Sequence, residues 1–147
     1  MKKLFIYFSD SGNGDKVAEY LAENGYDIRK VIPRKNLPKA FFFKMLKGGF
    51  IASLNKNAKL KDYDGDVNGY DEIAVGSPVW NGRLSCPVNT VLKETDFSDK
   101  KLSFILYSGG GTAPKAEERL RKEFPAANII VLQEPKKYPE NLKKLNI

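Results

Sequence analysis

The chain of 147 residues contains no histidine. That removes the side chain that titrates nearest neutrality and the commonest transition-metal ligand, so a histidine-based catalytic triad and a zinc site are both disfavoured. Cysteine occurs once, at Cys86, so no internal disulfide can form, which fits a reducing compartment. No apolar run approaches the roughly 18 residues needed to span a bilayer. The five apolar residues after Met1-Lys2-Lys3 are too few for a secretory signal. These absences lead us to expect a cytoplasmic protein without membrane insertion. Acidic residues are also missing from one long stretch, because Arg29 to Lys61 holds ten Lys or Arg and no Asp or Glu.

What is present describes a globular chain. Apolar residues make up 41% and aromatics 12%, enough for a full hydrophobic core in one domain over residues 1–147. The formal charge of +7 is concentrated in the Arg29 to Lys61 stretch. Such a field attracts an acidic protein, a phosphorylated ligand, nucleic acid or a membrane surface, or it is simply a solvated basic face. Phe41, Phe42 and Phe43 interleave with these cations, but a core-facing use explains them better than base stacking, and no nucleic-acid partner is expected.

Short, continuous apolar runs alternate with helical patterns. The strand candidates are Leu4 to Phe8, Ile28 to Ile32, Glu72 to Gly76, Leu102 to Tyr107 and Ile129 to Leu132. Their unbroken apolar character suits strands covered on both faces. Helix candidates fall at Asp15 to Asn24, Pro38 to Leu54, Pro87 to Lys93, Thr112 to Phe124 and Pro139 to Leu145. Gly48-Gly49 should weaken or kink the second of these. Asn55 to Gly69 reads as a long polar connection. The alternation predicts an α/β domain of three layers, a doubly wound parallel sheet of five strands with helices on both faces.

In such a sheet a ligand binds outside the carboxyl ends of the strands, where the strand order reverses. Three loops would meet there. Ser9-Asp10-Ser11-Gly12-Asn13-Gly14-Asp15 joins the first strand to the first helix, and it fits either an anion-holding loop or a plain helix N-cap. Ser77-Pro78-Val79-Trp80-Asn81-Gly82 follows the third strand, and Trp80 there is either a stacking platform or a ring folded back over the sheet. Ser108-Gly109-Gly110-Gly111 follows the fourth strand, as exposed backbone for a ligand edge or as a flexible turn before a helix. Other nucleotide-binding patterns fail on spacing: no third Gly follows Gly12-Asn13-Gly14 at the dinucleotide interval, and no P-loop occurs. A phosphoacceptor receiver domain would want an Asp where Gly76-Ser77 stand. Cys86 reads as a packed small residue.

Tyr7-Phe8-Ser9-Asp10-Ser11-Gly12-Asn13 resembles the first-strand phosphate loop of flavodoxins, and Gly76-Ser77-Pro78-Val79-Trp80-Asn81-Gly82 resembles their third strand and flavin-stacking loop. The resemblance runs from about residue 2 to residue 132. It implies a flavodoxin-like fold of strand order 2-1-3-4-5 with bound FMN, acting as an electron-transfer flavoprotein. By position, Ser9, Asp10, Ser11, Gly12, Asn13 and Gly14 would surround the FMN phosphate. Ser77, Pro78, Val79, Trp80, Asn81 and Gly82 would flank the isoalloxazine, and Ser108, Gly109, Gly110 and Gly111 would line its pyrimidine side.

Three departures from the family pattern stand out. Gly14 replaces the usual Thr and removes a hydroxyl donor. Asp10 and Asp15 bring like charge towards a dianion, with Lys16 as the expected compensating cation. The loop after the fourth strand lacks the Tyr that stacks on the outer flavin face in many relatives. The basic charge leads us to expect a raised potential for the second electron step and salt-sensitive association with an acidic redox partner through Arg29 to Lys61. Two rival readings are an FMN-dependent NAD(P)H or quinone-type oxidoreductase and an FMN-free binding module.

Overall fold

The computed structural model describes residues 1–34 and 58–147. The expected helix from Pro38 to Leu54, the start of the long connection and the central part of the basic stretch lie outside them. In chain order the elements are β1 (Lys3–Tyr7), α1 (Asn13–Glu23), β2 (Tyr26–Lys30), β3 (Glu72–Trp80), β4 (Arg83–Leu84), α2 (Cys86–Glu94), β5 (Lys101–Ser108), α3 (Pro114–Glu123), β6 (Asn128–Gln133) and a closing 3-10 helix (Pro139–Leu145).

The five long strands are all parallel and lie in the order β2-β1-β3-β5-β6, with β4 antiparallel to β3 off this path. Counted over the long strands this is the expected 2-1-3-4-5 order. The difference is a sixth, two-residue strand, β4, which shifts the numbering of the later strands.

Alternation along the strands sends side chains to two cores. Leu4, Ile6 and Phe8 join Ile73, Val75, Phe104 and Leu106 on one face, where Val88 and Val91 of α2 and Ala116 and Leu120 of α3 cover them. Phe5 and Tyr7 join Ala74, Ile105 and Tyr107 on the other, beneath Val17, Ala18 and Leu21 of α1 and Leu142 and Leu145 of the 3-10 helix. Burial of each large side chain such as Phe5, Ile6 or Phe104 contributes about 1.5–3 kcal/mol. These two covered faces are the physical reason the strands read as continuous apolar runs.

Strand β2 starts two residues earlier than the apolar run at Ile28 to Ile32. Tyr26 sets that start, since its hydroxyl donates to the Glu72 carboxylate at 2.7 Å, and the rest of this edge strand is largely exposed. Asp27, Arg29 and Lys30 along it discourage pairing with another chain. The described part of the long connection is not a solvated loop: Leu60 and Val67 are buried, and Tyr63 hydrogen bonds Thr95 at 2.6 Å. Among the described residues no helix is long and apolar enough to cross a membrane.

Candidate functional site

The strand order reverses between β1 and β3, and the loop leaving β1 there enters α1 directly. The helix begins at Asn13, two residues before the sequence pattern suggested. Gly12 sits at its N-cap with φ 92° and no side-chain cap, so an ordinary Ser or Asn cap is not what this loop forms. Instead Ser9 reaches in from outside the helix, its Oγ accepting the Gly14 N–H at 3.1 Å. The first N–H groups of a helix have no intrahelical acceptor. No hydrogen bond among the described residues takes up those of Asn13 or Asp15.

Side chains organise the same turn. Asn13 Nδ2 donates to Ser11 Oγ at 3.3 Å, and Asn13 Oδ1 accepts the Lys136 N–H at 3.0 Å. Ser9 and Ser11 both act here as acceptors and keep their O–H protons to donate elsewhere. Gly14 is buried, and a Cβ there would lie 2.5 Å from the Tyr107 hydroxyl oxygen. The space of the missing Thr is therefore filled by a phenol from β5, which donates to the Phe8 carbonyl.

The electrostatics differ from the sequence reading. Lys16 pairs with Glu19 at 3.4 Å, not with Asp15. Asp15 instead accepts from Lys30 Nζ and from the Tyr7 hydroxyl, each at 2.8 Å. Burial opposes ionisation of Asp15, but the hydrogen bonds from Lys30 and Tyr7 overcome it and hold the carboxyl below its usual range. Its charge is thus already matched. Asp10 stays exposed at the rim of the turn.

The second group of residues needs correction. Ser77, Pro78, Val79 and Trp80 are not loop but the end of β3, and only Asn81 and Gly82 form the turn to β4. Both turn residues have positive φ, 49° and 78°, as a two-residue hairpin of this hand requires. Ser77 is fully buried and fastens the hairpin to α2, accepting the Ser85 N–H at 3.1 Å and donating to the Pro78 carbonyl at 2.8 Å. Trp80 is 3% exposed and meets the Phe8 ring edge-on at 5.7 Å between centroids, so it is core and not an open platform. Asn81 and Gly82 remain half-buried at the strand ends, where the Gly82 carbonyl accepts the Ala116 N–H at 3.1 Å.

In the third group Gly109 and Gly110 are exposed, whereas Ser108 is buried and Gly111 lies against Gln133. Among the described residues nothing lies within 4 Å of a Cβ built on Gly109 or Gly110. Ser108, at the end of β5, has a buried Oγ that finds no partner among the described residues. Gln133 closes the far side, its Nε2 donating to the Gly109 carbonyl at 3.4 Å. Sequence reasoning missed Tyr107, Lys30 and Lys136, because each reaches the first loop from another element and no local spacing signals it.

A doubly wound α/β domain with a donor-rich helix entry at its switch point is a phosphate-binding architecture. The flavodoxin family model matches residues 2–144, and the chain belongs to the flavodoxin family. Among solved structures it is similar to a protein of Bacteroides uniformis ATCC 8492 classed provisionally as a flavoprotein, with 26% identity, TM-score 0.73, and coverage of 87% of this chain and 85% of that one. It is also similar to a flavoprotein of Lactobacillus acidophilus NCFM in complex with FMN, at 21% identity and TM-score 0.65, covering 95% and 97% of the two chains. A flavodoxin from the domain Archaea shares 18% identity over 98% of this chain and 93% of that one, with TM-score 0.56. Comparison with curated proteins gives no match.

Proposed function

We propose that this chain binds FMN at the carboxyl ends of β1, β3 and β5 and serves as an electron-transfer protein. The observation that carries the reading is the Ser9–Gly14 turn at the switch point, with two serine hydroxyls and the N–H groups of Asn13 and Asp15, which have no acceptor among the described residues. The unpartnered Ser108 Oγ and the open backbone of Gly109 and Gly110 supply donors and acceptors for the edge of a heteroaromatic ring. FMN, when bound, supplies one- and two-electron chemistry, and the chain's residues bind it, orient it and set its surroundings. Ser9, Ser11 and Asn13 would hold the phosphate. Asn81 and Gly82 would stand at the ring's edge. The Trp80 indole, packed on Phe8, would support the site from behind.

The Asp15 carboxylate beside this turn is engaged by Lys30 and Tyr7, so it serves the fold of the turn and the redox chemistry would rest with FMN. A cytoplasmic setting, with the lone Cys86 buried, is part of this proposal. So is docking to an acidic redox partner, supported by the charge of +7. Lys30 is paired with the Asp15 carboxylate, whereas Arg29 bonds the neutral backbone carbonyls of Asp64 and Asp66, so the docking charge would come from Arg29 and the remaining cations.

The test is to purify the protein, remove any flavin and titrate FMN while following flavin fluorescence and the emission of Trp80, the single tryptophan. Stoichiometric binding with quenching of both signals is expected. Absence of binding would point to the binding-module reading. Sustained oxidation of NADH or NADPH with a quinone acceptor would replace the carrier by the oxidoreductase. Partner docking predicts electron-transfer rates that fall as salt rises, and salt-independent rates would remove that part.

A further inference from the structure

Lys136 lies in the segment between β6 and the 3-10 helix, far in sequence from the first loop. Its backbone N–H is nevertheless pinned to that loop, donating to Asn13 Oδ1 at 3.0 Å. Its side chain then runs along Gly12. A Cβ built on Gly12 would lie 3.2 Å from Lys136 Cδ and 3.3 Å from Lys136 Nζ. Glycine at position 12 therefore serves two ends, admitting φ 92° and leaving room for the lysine stem.

The three lysines near this turn differ in what they are doing. Lys30 is committed to Asp15 at 2.8 Å, and Lys16 to Glu19 at 3.4 Å. Among the described residues no carboxylate forms an ion pair with Lys136. Asp15 feels its charge at longer range, but that carboxylate is already bonded to Lys30 and Tyr7. An ammonium that is held against a helix entry by its own backbone, with no carboxylate in contact, is placed to meet an external anion.

We propose that Lys136 is the phosphate-reading cation of this site: it contacts the phosphomonoester dianion on the Ser9–Gly14 turn and selects phosphorylated flavin over its dephosphorylated form. The proposal rests on the FMN reading for the identity of the ligand, and on Lys136, Asn13 and Gly12 alone for the phosphate contact. It also accounts for how the turn tolerates Gly14. The hydroxyl donor lost there is replaced by a full charge delivered from the other end of the chain.

Lys136→Gln tests this cleanly, because the Asn13 bond uses the Lys136 backbone and survives the substitution. Wild type, Lys136→Gln, Lys136→Arg and the control Lys137→Gln are titrated with FMN, with riboflavin and with inorganic phosphate. Flavin fluorescence reads the first two, and the amide resonances of Gly12, Asn13 and Gly14 read the third. Loss of a charge-assisted contact predicts FMN binding about 10- to 100-fold weaker in Lys136→Gln. Riboflavin affinity should be unchanged, Lys136→Arg should stay near wild type, and Lys137→Gln should match wild type.

Equal FMN affinity for Lys136→Gln and wild type would overturn the assignment while leaving the FMN reading intact. An equal fall for riboflavin and FMN would overturn it too, because the lysine would then be shaping the site and not reading phosphate. Wild-type protein that takes phosphate at these amides in a Lys136-dependent way but binds no flavin would keep the phosphate contact and remove the FMN reading. Binding of neither flavin nor phosphate would remove both.

Discussion

A methyl group added at Gly14 would sit 2.5 Å from the Tyr107 hydroxyl oxygen and 2.8 Å from the Ser9 Cβ, both inside contact distance. Gly14→Ala should therefore cost about 1–3 kcal/mol, as overpacking of a well-packed site does. The same substitution in a Tyr107→Leu background should cost less, and a double-mutant cycle on denaturant midpoints reads the coupling. Equal costs in the two backgrounds would show that Tyr107 is not the obstacle. From sequence, Gly14 is only a lost hydroxyl, and the residue that fills its place enters from β5, where no spacing rule connects them. Asp15 shows the same gap in legibility. Lys16 is its neighbour in the chain, but Lys30, at the end of β2, is its partner because β1 and β2 are parallel and adjacent. With its carboxyl held below the ordinary value, Asp15 adds stability that is fully present above about pH 4 and is lost as pH falls through its folded value. Asp15→Asn should be slightly less stable than wild type at neutral pH, by under about 1 kcal/mol given the exposure of the pair, and the gap should close in acid. Urea unfolding of both proteins across acidic pH checks the sign.

Among the elements, β3 diverges most from its sequence pattern, since the apolar run at Glu72 to Gly76 is only the first half of a strand that reaches Trp80. Pro78 argues against a strand interior because it brings no N–H. The geometry removes the objection. Gly76 gives its carbonyl to the Phe8 N–H at 3.2 Å, so backbone groups at Gly76, and two residues on at Pro78, face the β1 side, and β1 has ended by then. On its other side β3 continues beside β5, in register to Pro78 and Tyr107. The missing N–H falls where no neighbouring ladder needs it. Beyond Trp80 the chain reverses at Asn81-Gly82, a strong short-range hairpin signal that the surrounding Ser and Pro obscured. Gly82→Val should cost about 1–2 kcal/mol, because a β-branched residue resists φ 78°. Asn81→Gly should be nearly neutral. Thermal unfolding of the two variants checks this, and a neutral Gly82→Val would mean the turn relaxes without its positive-φ pair. The fold was legible because buried parallel strands leave continuous apolar runs. The candidate site is legible only where consecutive residues compose it, as at Ser9–Gly14 and Ser108–Gly111, and not where Tyr107, Lys30 and Lys136 enter from other elements.

At the scale of the whole molecule, the two faces of the sheet differ in what could open them. The face under α1 and the 3-10 helix buries Tyr7, Tyr26 and Tyr107, whereas the tyrosines packed against the opposite core, Tyr63 and Tyr70, are only partly buried. All three phenols are pushed well above the ordinary tyrosine value, chiefly by burial. The Asp15 carboxylate adds to this at Tyr7, Glu72 adds at Tyr26, and the charges around Tyr7, Asp10 and Asp15 add at Tyr107. A group whose folded value is raised contributes stability that is complete below its unfolded value and is lost as pH rises beyond it. For tyrosine that unfolded value is about 10. The protein should accordingly lose stability steadily above about pH 10, and the α1 face should give way as these phenols are forced to ionise. Following tyrosinate absorbance and far-ultraviolet dichroism in one alkaline titration tests it. The buried three should ionise together with loss of the helix signal. All seven tyrosines ionising in one smooth step while the dichroism stays native would contradict the assignment. Tyr26→Phe separates the two ends of this face, because it removes the Glu72 contact at the amino ends of the strands and leaves Tyr7 and Tyr107 beside the loop. If the loop end governs the transition, its midpoint should stay with wild type, and if the Tyr26–Glu72 end does, the midpoint should move upward.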